Sequence, residues 1–223
     1  MKDRQGRFIT FEGPDGSGKT AQLDILTEEF IQAGYPILRT REPGGTPISD
    51  QIRATLLDLK NTAMIDRTEA LLYQAARAQL VEEVIKPQLA NGGVVLSDRY
   101  ADSTLAYQGY GHQNTVASLE GIIHYATGGL VPDLTILLDL APEVGLQRRL
   151  DAGGLNRLDA YDINFHHRVR DGYLKLARAT PDRWVIVDAD RTFEAVQDDL
   201  RTILQDQLDL WGFKPGESAR SER

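Results

Sequence analysis

The sequence predicts a three-layer α/β fold, with a central parallel sheet of about five strands and helices on both faces. Short apolar runs, which suit strands buried on both faces, alternate along the chain with longer amphipathic segments of helical period. A chain of 223 residues that is 41% hydrophobic can bury one substantial core. We therefore expect a single domain.

The predicted elements follow one another in strand–helix order, which favours right-handed crossovers within one domain. The predicted strands lie near residues 8–11, 36–38, 94–96, 134–138 and 184–187. The predicted helices cover residues 19–33, 48–59, 68–89, 116–125, 142–150, 164–179 and 193–210. We expect the domain to span residues 1–211 and a flexible polar tail to span 212–223.

Composition narrows the classes of function. The net charge of −8 and pI near 5.0 argue against general binding to nucleic acid or anionic membrane, which requires a basic surface. Any anion must therefore be bound by local arginines. The absence of cysteine excludes disulfides and thiolate chemistry. With no secretory apolar segment and no apolar run of membrane-spanning length, the sequence predicts a cytoplasmic protein.

A glycine-rich motif follows the first predicted strand. Residues 13–20 have the sequence GPDGSGKT, which satisfies G-x-x-x-x-G-K-[ST] in the strand–turn–helix setting of a P-loop. Its backbone N–H groups and Lys19 can bind a triphosphate, and the Thr20 hydroxyl can hold Mg²⁺. The alternative is a glycine-rich turn with a surface lysine. The predicted nucleotide-phosphate site comprises Gly13, Pro14, Asp15, Gly16, Ser17, Gly18, Lys19 and Thr20.

Two further motifs follow predicted strands, where ligands gather in open α/β sheets. The sequence TREPGGT at 40–46 follows the second strand, and Asp98 and Arg99 end the third. In a P-loop NTPase fold, a strand-ending aspartate is placed to hold the hydration shell of Mg²⁺ or to orient Thr20. Arg99 could bind a phosphate through two hydrogen bonds. The alternative is a structural Asp–Arg pair at a strand end.

The third predicted helix carries Tyr73 and Arg77, which share one face because they are four residues apart. A ring that stacks on a base, beside a guanidinium that donates to a base carbonyl, would make a nucleobase site. Periodicity alone instead favours a core tyrosine with a solvent-facing arginine.

In their order along the chain, these motifs resemble bacterial thymidylate kinases. The matching segments are FEGPDGSGKT, TREPGGT, LLYQAARAQ, SDRYADSTLAYQGYG and NRLDAYDINFHHRVRDGY, from about residue 7 to about residue 189. The resemblance implies ATP-dependent phosphorylation of dTMP to dTDP by a P-loop nucleoside monophosphate kinase. It also implies Mg²⁺ as cofactor and a homodimer.

The resemblance implies roles for individual residues. Asp98 and Thr20 would organise Mg²⁺. The acceptor phosphate and sugar would lie near Asp15, Glu42, Arg53 and Arg99. The base would be bound by Tyr73, Arg77, Thr104 and Gln108. Tyr107 resembles a tyrosine that crowds a ribose 2′-hydroxyl, so deoxyribose should be preferred.

The predicted lid at residues 148–160 carries fewer arginines than in many bacterial relatives. Gly16 occupies the P-loop position at which the eukaryotic type has a catalytic arginine, so this arginine must come from the lid. Arg148, Arg149 and Arg157 are the candidates. We expect Arg157 to stabilise the charge of the transition state.

Three alternatives stay open at the level of sequence. One is a P-loop kinase for another deoxynucleotide or a deoxynucleoside. A second is a nucleotide-dependent switch module, although the N-K-x-D motif that reads guanine is absent. The third is a nucleotide-binding homologue without catalysis, which the reduced number of lid arginines makes conceivable.

Overall fold

The computed structural model describes residues 5–153 and 156–216, and it confirms the predicted fold class. In this part of the chain, five parallel strands form one sheet in the order β2-β3-β1-β4-β5. The strands are β1 (Arg7–Glu12), β2 (Ile37–Arg41), β3 (Val94–Asp98), β4 (Leu134–Asp139) and β5 (Trp184–Asp188).

Helices cover both faces of this sheet. They are α1 (Lys19–Gln32), α2 (Pro47–Leu57), α3 (Asp66–Leu80), α4 (Lys86–Ala90), α5 (Ala101–Thr104), α6 (Val116–Thr127), α7 (Pro142–Asp151), α8 (Ile163–Ala179) and α9 (Phe193–Leu210). A π-helical stretch, Val81–Ile85, joins α3 to α4, and another, Leu105–Gly111, continues α5. Short 3₁₀ turns lie at Leu158–Ala160 and Pro181–Arg183.

The apolar strands are buried on both faces, as their uniform composition predicts. On one face, Ile9 and Phe11 of β1 pack with residues of α1 and α9, including Leu204. On the other face, Phe8 packs with Leu80 and neighbouring residues. The sheet therefore forms the middle of three layers.

The register of the sheet brings two predicted motifs together. Phe11 of β1 lies opposite Asp98 of β3, and Glu12 lies opposite Leu137 of β4. Because the strands are parallel, the segments that follow them leave the sheet at the same edge. The P-loop after β1 is thus next to the Asp98–Arg99 segment after β3.

The helical segment of residues 101–111 was not predicted. Gly109 and Gly111 weaken its helical pattern, and its residues resemble a loop motif. A Cβ at Gly111 would lie 2.7 Å from Phe165 of α8, so glycine allows the two segments to pack closely. Tertiary packing therefore outweighs the low helix propensity here.

The chain beyond α9 returns to the domain. Phe213 is fully buried in the core beside α9, and the Gly216 N–H donates to the Ala33 carbonyl oxygen at 3.2 Å. The first residues of the predicted tail are therefore packed against the domain, whereas its remainder, 217–223, lies outside the described residues. Within the described part, no helix is long and apolar enough to cross a membrane.

Candidate active site

The P-loop at residues 13–20 lies between β1 and the N-terminus of α1. Gly13 and Gly16 have positive φ angles of 144° and 78°. A Cβ would lie 2.4 Å from the Leu138 carbonyl oxygen if placed on Gly13, and 2.1 Å from that of Gly145 if placed on Gly16. Glycine is required at both positions, and the loop opens into a helix N-terminus, which is a favourable place for phosphate.

Lys19, the first residue of α1, is almost fully buried inside the loop. Its Nζ donates hydrogen bonds to the carbonyl oxygens of Gly13 and Pro14, both at 2.8 Å, and to Ser17 Oγ at 3.1 Å. Burial, reinforced by nearby Arg99, lowers the pKa of Lys19 to about 8. The ammonium is thus held by neutral acceptors that anionic phosphate oxygens could replace.

Thr20 and Asp98 lie together, as the sequence predicts. Thr20 Oγ1 donates a hydrogen bond to Asp98 Oδ2 at 2.6 Å. Hydroxyl and carboxylate oxygens are suitable ligands for Mg²⁺, which commonly takes one or two protein ligands together with phosphate oxygens and waters. These two residues could therefore hold Mg²⁺ beside the P-loop.

Arg99 bridges the P-loop and the segment after β3. Its guanidinium donates to Gly13 O at 3.0 Å, Ser103 Oγ at 3.1 Å and Tyr173 OH at 3.0 Å, and it pairs with Asp15 Oδ1 at 2.8 Å. Burial raises the pKa of Asp15 and the cation of Arg99 lowers it; with the other neighbouring groups the net shift is downward. Asp15 is therefore held as a carboxylate at the edge of the loop.

A small cavity, partly open to solvent, lies beside this ion pair. It is lined by Asp15, Tyr73, Arg99, Ser103, Thr104, Tyr107, Gln108 and Leu158. Tyr107 OH donates to Asp15 Oδ2 at 2.7 Å and lies 3.2 Å from Arg99 Nη2. The structure thus brings six of the predicted acceptor-site residues, Arg99 among them, to one cavity wall beside the P-loop.

Arg53 adds a further positive charge close to Arg99 and the cavity. Its Nη1 donates to the Pro43 carbonyl oxygen at 2.7 Å. Burial lowers the pKa of Arg53, and the neighbouring cations Arg41 and Arg99 lower it further. Guanidinium groups gathered at one place repel one another, so an anion such as a phosphate would stabilise them.

Arg77 differs from one of its two sequence-based interpretations, the solvent-facing arginine. It is buried rather than solvent-facing, and it pairs with Glu42 at 2.6 Å. Its Nη1 donates to Thr104 Oγ1 at 3.0 Å and to Gln74 Oε1 at 2.8 Å, so it lies behind the cavity wall. Tyr73, in contrast, lines the cavity itself. Glu42 faces Arg77, and burial raises the pKa of its carboxyl.

The family model described as Thymidylate kinase matches residues 11–200. The chain belongs to the thymidylate kinase family. Among its relatives, the thymidylate kinase of Roseiflexus castenholzii is 48% identical over 214 residues, which cover 90% of this chain and 93% of the relative. That of Herpetosiphon aurantiacus is 49% identical over 226 residues, covering 90% and 96%.

A solved structure gives the same family. The crystal structure of thymidylate kinase from Ehrlichia chaffeensis matches with a TM-score of 0.73 at 32% identity, covering 90% of this chain and 99% of that one. The predicted family resemblance is therefore confirmed. The residues that the family model matches include the P-loop, the residues that line the cavity and the predicted lid of this thymidylate kinase family member.

The predicted lid does not bring Arg157 to the P-loop. Arg157 is buried, forms an ion pair with Glu69, and donates from Nε to the Leu56 carbonyl oxygen at 3.0 Å. Its Nη1 donates to Tyr161 OH at 3.0 Å, so its donors are directed at α2, α3 and Tyr161. This arrangement does not support the interpretation of Arg157 as the transition-state arginine.

The other two lid arginines lie on α7. Arg149 pairs with Asp159 at 2.9 Å and also interacts electrostatically with Asp15 of the P-loop. Arg148 Nη1 donates to the Ala189 carbonyl oxygen at 3.2 Å, after β5. Of the three, Arg149 is the one whose charge acts on the P-loop carboxylate. Residues 154–155 of the predicted lid lie outside the described residues.

Glu12, the last residue of β1, was not among the predicted site residues. Its buried carboxylate accepts hydrogen bonds from the Tyr100 N–H at 2.8 Å, Ser103 Oγ at 2.6 Å and Tyr173 OH at 2.8 Å. Burial, reinforced by Asp102, raises its pKa to about 7. Glu12 thus fixes two groups, Ser103 and Tyr173, that in turn contact Arg99. A lone acidic residue at the end of an otherwise apolar strand was the available signal.

Proposed function

We propose that this protein transfers the γ-phosphate of ATP to dTMP and so forms dTDP. The observation that carries the proposal is the Asp15–Arg99 pair, which belongs at once to the P-loop and to the tyrosine-lined cavity. A donor bound at the loop and an acceptor bound in the cavity would thus meet at this pair. The relatives named thymidylate kinase support dTMP as the acceptor.

The donor side consists of the P-loop, Lys19, Thr20 and Asp98. Lys19 binds the phosphates of ATP, since its present partners are neutral oxygens. Thr20 and Asp98 would hold Mg²⁺, which when bound would supply neutralising charge to the donor phosphates. The protein itself contributes position and fixed charge, which are the main requirements of phosphoryl transfer.

The acceptor side uses Arg53 and Arg99 for the dTMP phosphate. A phosphate monoester has a second pKa of about 6, so near neutral pH the acceptor is already mostly a dianion and no general base is required. Tyr73 stacks on the base. The Tyr107 hydroxyl, fixed by Asp15 at 2.7 Å, crowds the sugar and favours deoxyribose. Arg149 supplies the lid charge.

We also propose that the protein is a cytoplasmic homodimer. The large side chains of Leu71 on α3 and Tyr125 on α6 are exposed, and these two helices pack against each other. Exposed apolar groups on neighbouring helices support an interface between two copies. Light scattering of the purified protein measures its oligomeric state directly.

The decisive experiment is ADP release from ATP and Mg²⁺, measured with dTMP, dUMP, dCMP, thymidine and no acceptor. We expect dTMP to give the highest kcat/KM and release without acceptor to be slight. Lys19→Ala should lower turnover by about 10²–10³-fold or more, because a pre-positioned charge is lost. Lys60→Ala, which changes an exposed lysine, is the matched control.

Each contrary result has a definite meaning. If dCMP or thymidine gave a higher kcat/KM than dTMP, that compound would replace dTMP as the proposed acceptor. Acceptor-independent hydrolysis alone would indicate a switch module, and no ADP release at all would indicate a silent homologue. Wild-type turnover by folded Lys19→Ala would reject the role of Lys19.

A further inference from the structure

Glu69 on α3 is a buried carboxylate outside the site described so far. Its Oε1 accepts a hydrogen bond from Gln108 Nε2 at 2.7 Å and lies 3.1 Å from His112 Nε2. Its Oε2 forms the ion pair with Arg157. A single buried carboxylate therefore joins a residue of the cavity wall to an arginine of the predicted lid.

The ionised state of Glu69 has a geometric consequence. Burial raises the pKa of Glu69, but hydrogen bonds from His112, Gln108 and Arg157 outweigh burial, and the pKa lies below its ordinary value. A carboxylate can only accept hydrogen bonds. The Gln108 amide must therefore direct its NH₂ group to Glu69. The amide oxygen of Gln108 then points away from Glu69.

The Gln108 amide oxygen is available to the cavity. Within the described residues, no hydrogen-bond donor reaches Gln108 Oε1. This oxygen is also not among the fully buried side-chain atoms without a hydrogen-bond partner. Gln108 as a whole is buried and lines the cavity, so the accessible part of its side chain faces that space. The cavity wall thus presents a hydrogen-bond acceptor at Gln108.

Thr104, one helical turn before Gln108, presents a hydrogen-bond donor to the cavity instead of an acceptor. Its Oγ1 accepts hydrogen bonds from Gln74 Nε2 at 3.1 Å and from Arg77 Nη1 at 3.0 Å. These two donors occupy both acceptor positions of the hydroxyl, and its own hydrogen stays available to the cavity. The wall therefore presents a donor at Thr104 next to an acceptor at Gln108.

We propose that Glu69 is a positioning residue that fixes this donor–acceptor pattern and thereby selects the base. A thymine or uracil ring offers an N3–H donor beside the C4 carbonyl, which complements Gln108 and Thr104. A cytosine ring offers an N3 acceptor beside an amino donor. Its N3 would face the acceptor of Gln108 and its amino group the donor of Thr104, so neither hydrogen bond could form. The inference rests on the proposed function, because it concerns the acceptor of the same cavity.

Glu69→Gln tests this role. The new amide at residue 69 can donate as well as accept, so the Gln108 amide is no longer held in one orientation. We expect the ratio of kcat/KM for dTMP to that for dCMP to fall by about tenfold or more, which is the effect of one oriented hydrogen bond. The kcat at saturating dTMP should stay within about threefold of wild type, since the reacting groups are untouched.

The chain offers a matched control. Gln79 Nε2, near the end of α3, donates at 2.7 Å to Oε2 of Glu83 on the π-helical stretch that follows, and Glu83 is exposed. Glu83→Gln makes the same chemical change in a glutamine–glutamate pair at the surface. It should leave the dTMP:dCMP ratio unchanged.

A double-mutant cycle separates positioning from general destabilisation. In the Gln108→Leu background the amide is absent, so Glu69→Gln should cause little further change in the ratio. If Glu69→Gln does not fold, Glu69→Gln with Arg157→Met also removes the buried guanidinium and is assayed instead. The same fall in the ratio is expected.

An unchanged dTMP:dCMP ratio in folded Glu69→Gln would overturn the inference. Equal losses of kcat/KM for both nucleotides would do the same, because they would indicate a merely structural role. The proposed function fails separately, when the wild-type protein does not phosphorylate dTMP.

Discussion

At the scale of the residue, Arg99 connects the two halves of the site. Its φ of 73° is unusual for an arginine and costs on the order of 1–2 kcal/mol. The Arg99 N–H donates to the Phe11 carbonyl oxygen at 2.9 Å, and the next N–H, of Tyr100, donates to Glu12. These bonds turn the chain after β3 so that the guanidinium points back at Gly13 and the cavity.

Arg149 is the lid residue for which we predict a kinetic effect. Its charge acts on Asp15, next to the expected position of the transferred phosphate. Arg149→Ala should lower kcat by about 10³-fold with little change in the Kd of ATP, as for an arginine that acts on the transition state. Arg157→Ala should instead raise the KM for dTMP, because Arg157 is paired with Glu69.

Steady-state kinetics with ATP and dTMP varied in turn distinguish these outcomes. Arg178→Ala, which changes an exposed arginine on α8, is the control and should behave as wild type. A strong kcat effect of Arg157→Ala combined with normal turnover of Arg149→Ala would reverse the two assignments.

At the scale of the element, α7 supports the P-loop by direct backbone contact. Gly145, in its second turn, faces the loop, and a Cβ at this position would lie 2.3 Å from the Asp15 carbonyl oxygen. Gly16 faces Gly145 in return. The two glycines allow helix and loop to touch, so the position of α7 determines the shape of the phosphate site.

Gly145→Ala should therefore displace the P-loop. We expect kcat/KM to fall by about 10²-fold, which is the scale of a 1 Å misplacement in a catalytic site. Gly121→Ala on α6 is the matched control, because a Cβ there meets nothing within 4 Å. This control should keep full activity and gain about 0.5–1 kcal/mol of stability from helix propensity. A gain of stability without loss of activity for Gly145→Ala would contradict the contact.

At the scale of the whole molecule, the segment that follows α9 contributes to the core. Phe213 is fully buried against the layer formed by α1 and α9. Phe213→Ala should lower the free energy of unfolding by about 3–5 kcal/mol. At about 2–4 °C per kcal/mol for a domain of this size, thermal unfolding should show a Tm lower by roughly 10 °C.

The control for this change lies close in sequence. Leu210, at the end of α9, is 78% exposed, so Leu210→Ala should change stability by only about 0.5 kcal/mol. A Tm of Phe213→Ala equal to that of Leu210→Ala would show that the segment after α9 does not contribute to the core.

The sequence predicted those features that depend on neighbours along the chain. Strand positions follow from apolar runs, and the P-loop follows from glycine spacing after β1. The Thr20–Asp98 contact was also predictable, because parallel strands end at the same edge of the sheet. In each case a few adjacent residues contain the physical signal, whether it is a period, a turn or the end of a strand.

The tertiary structure alone determined which buried charges are paired. Arg157 lies in the predicted lid, yet it pairs with Glu69, 88 residues earlier. Glu12 contacts Tyr173, 161 residues later, and Arg77 is directed at Glu42. No local pattern specifies such partners, because a buried charge takes the partner that the packing of distant helices brings within hydrogen-bond distance.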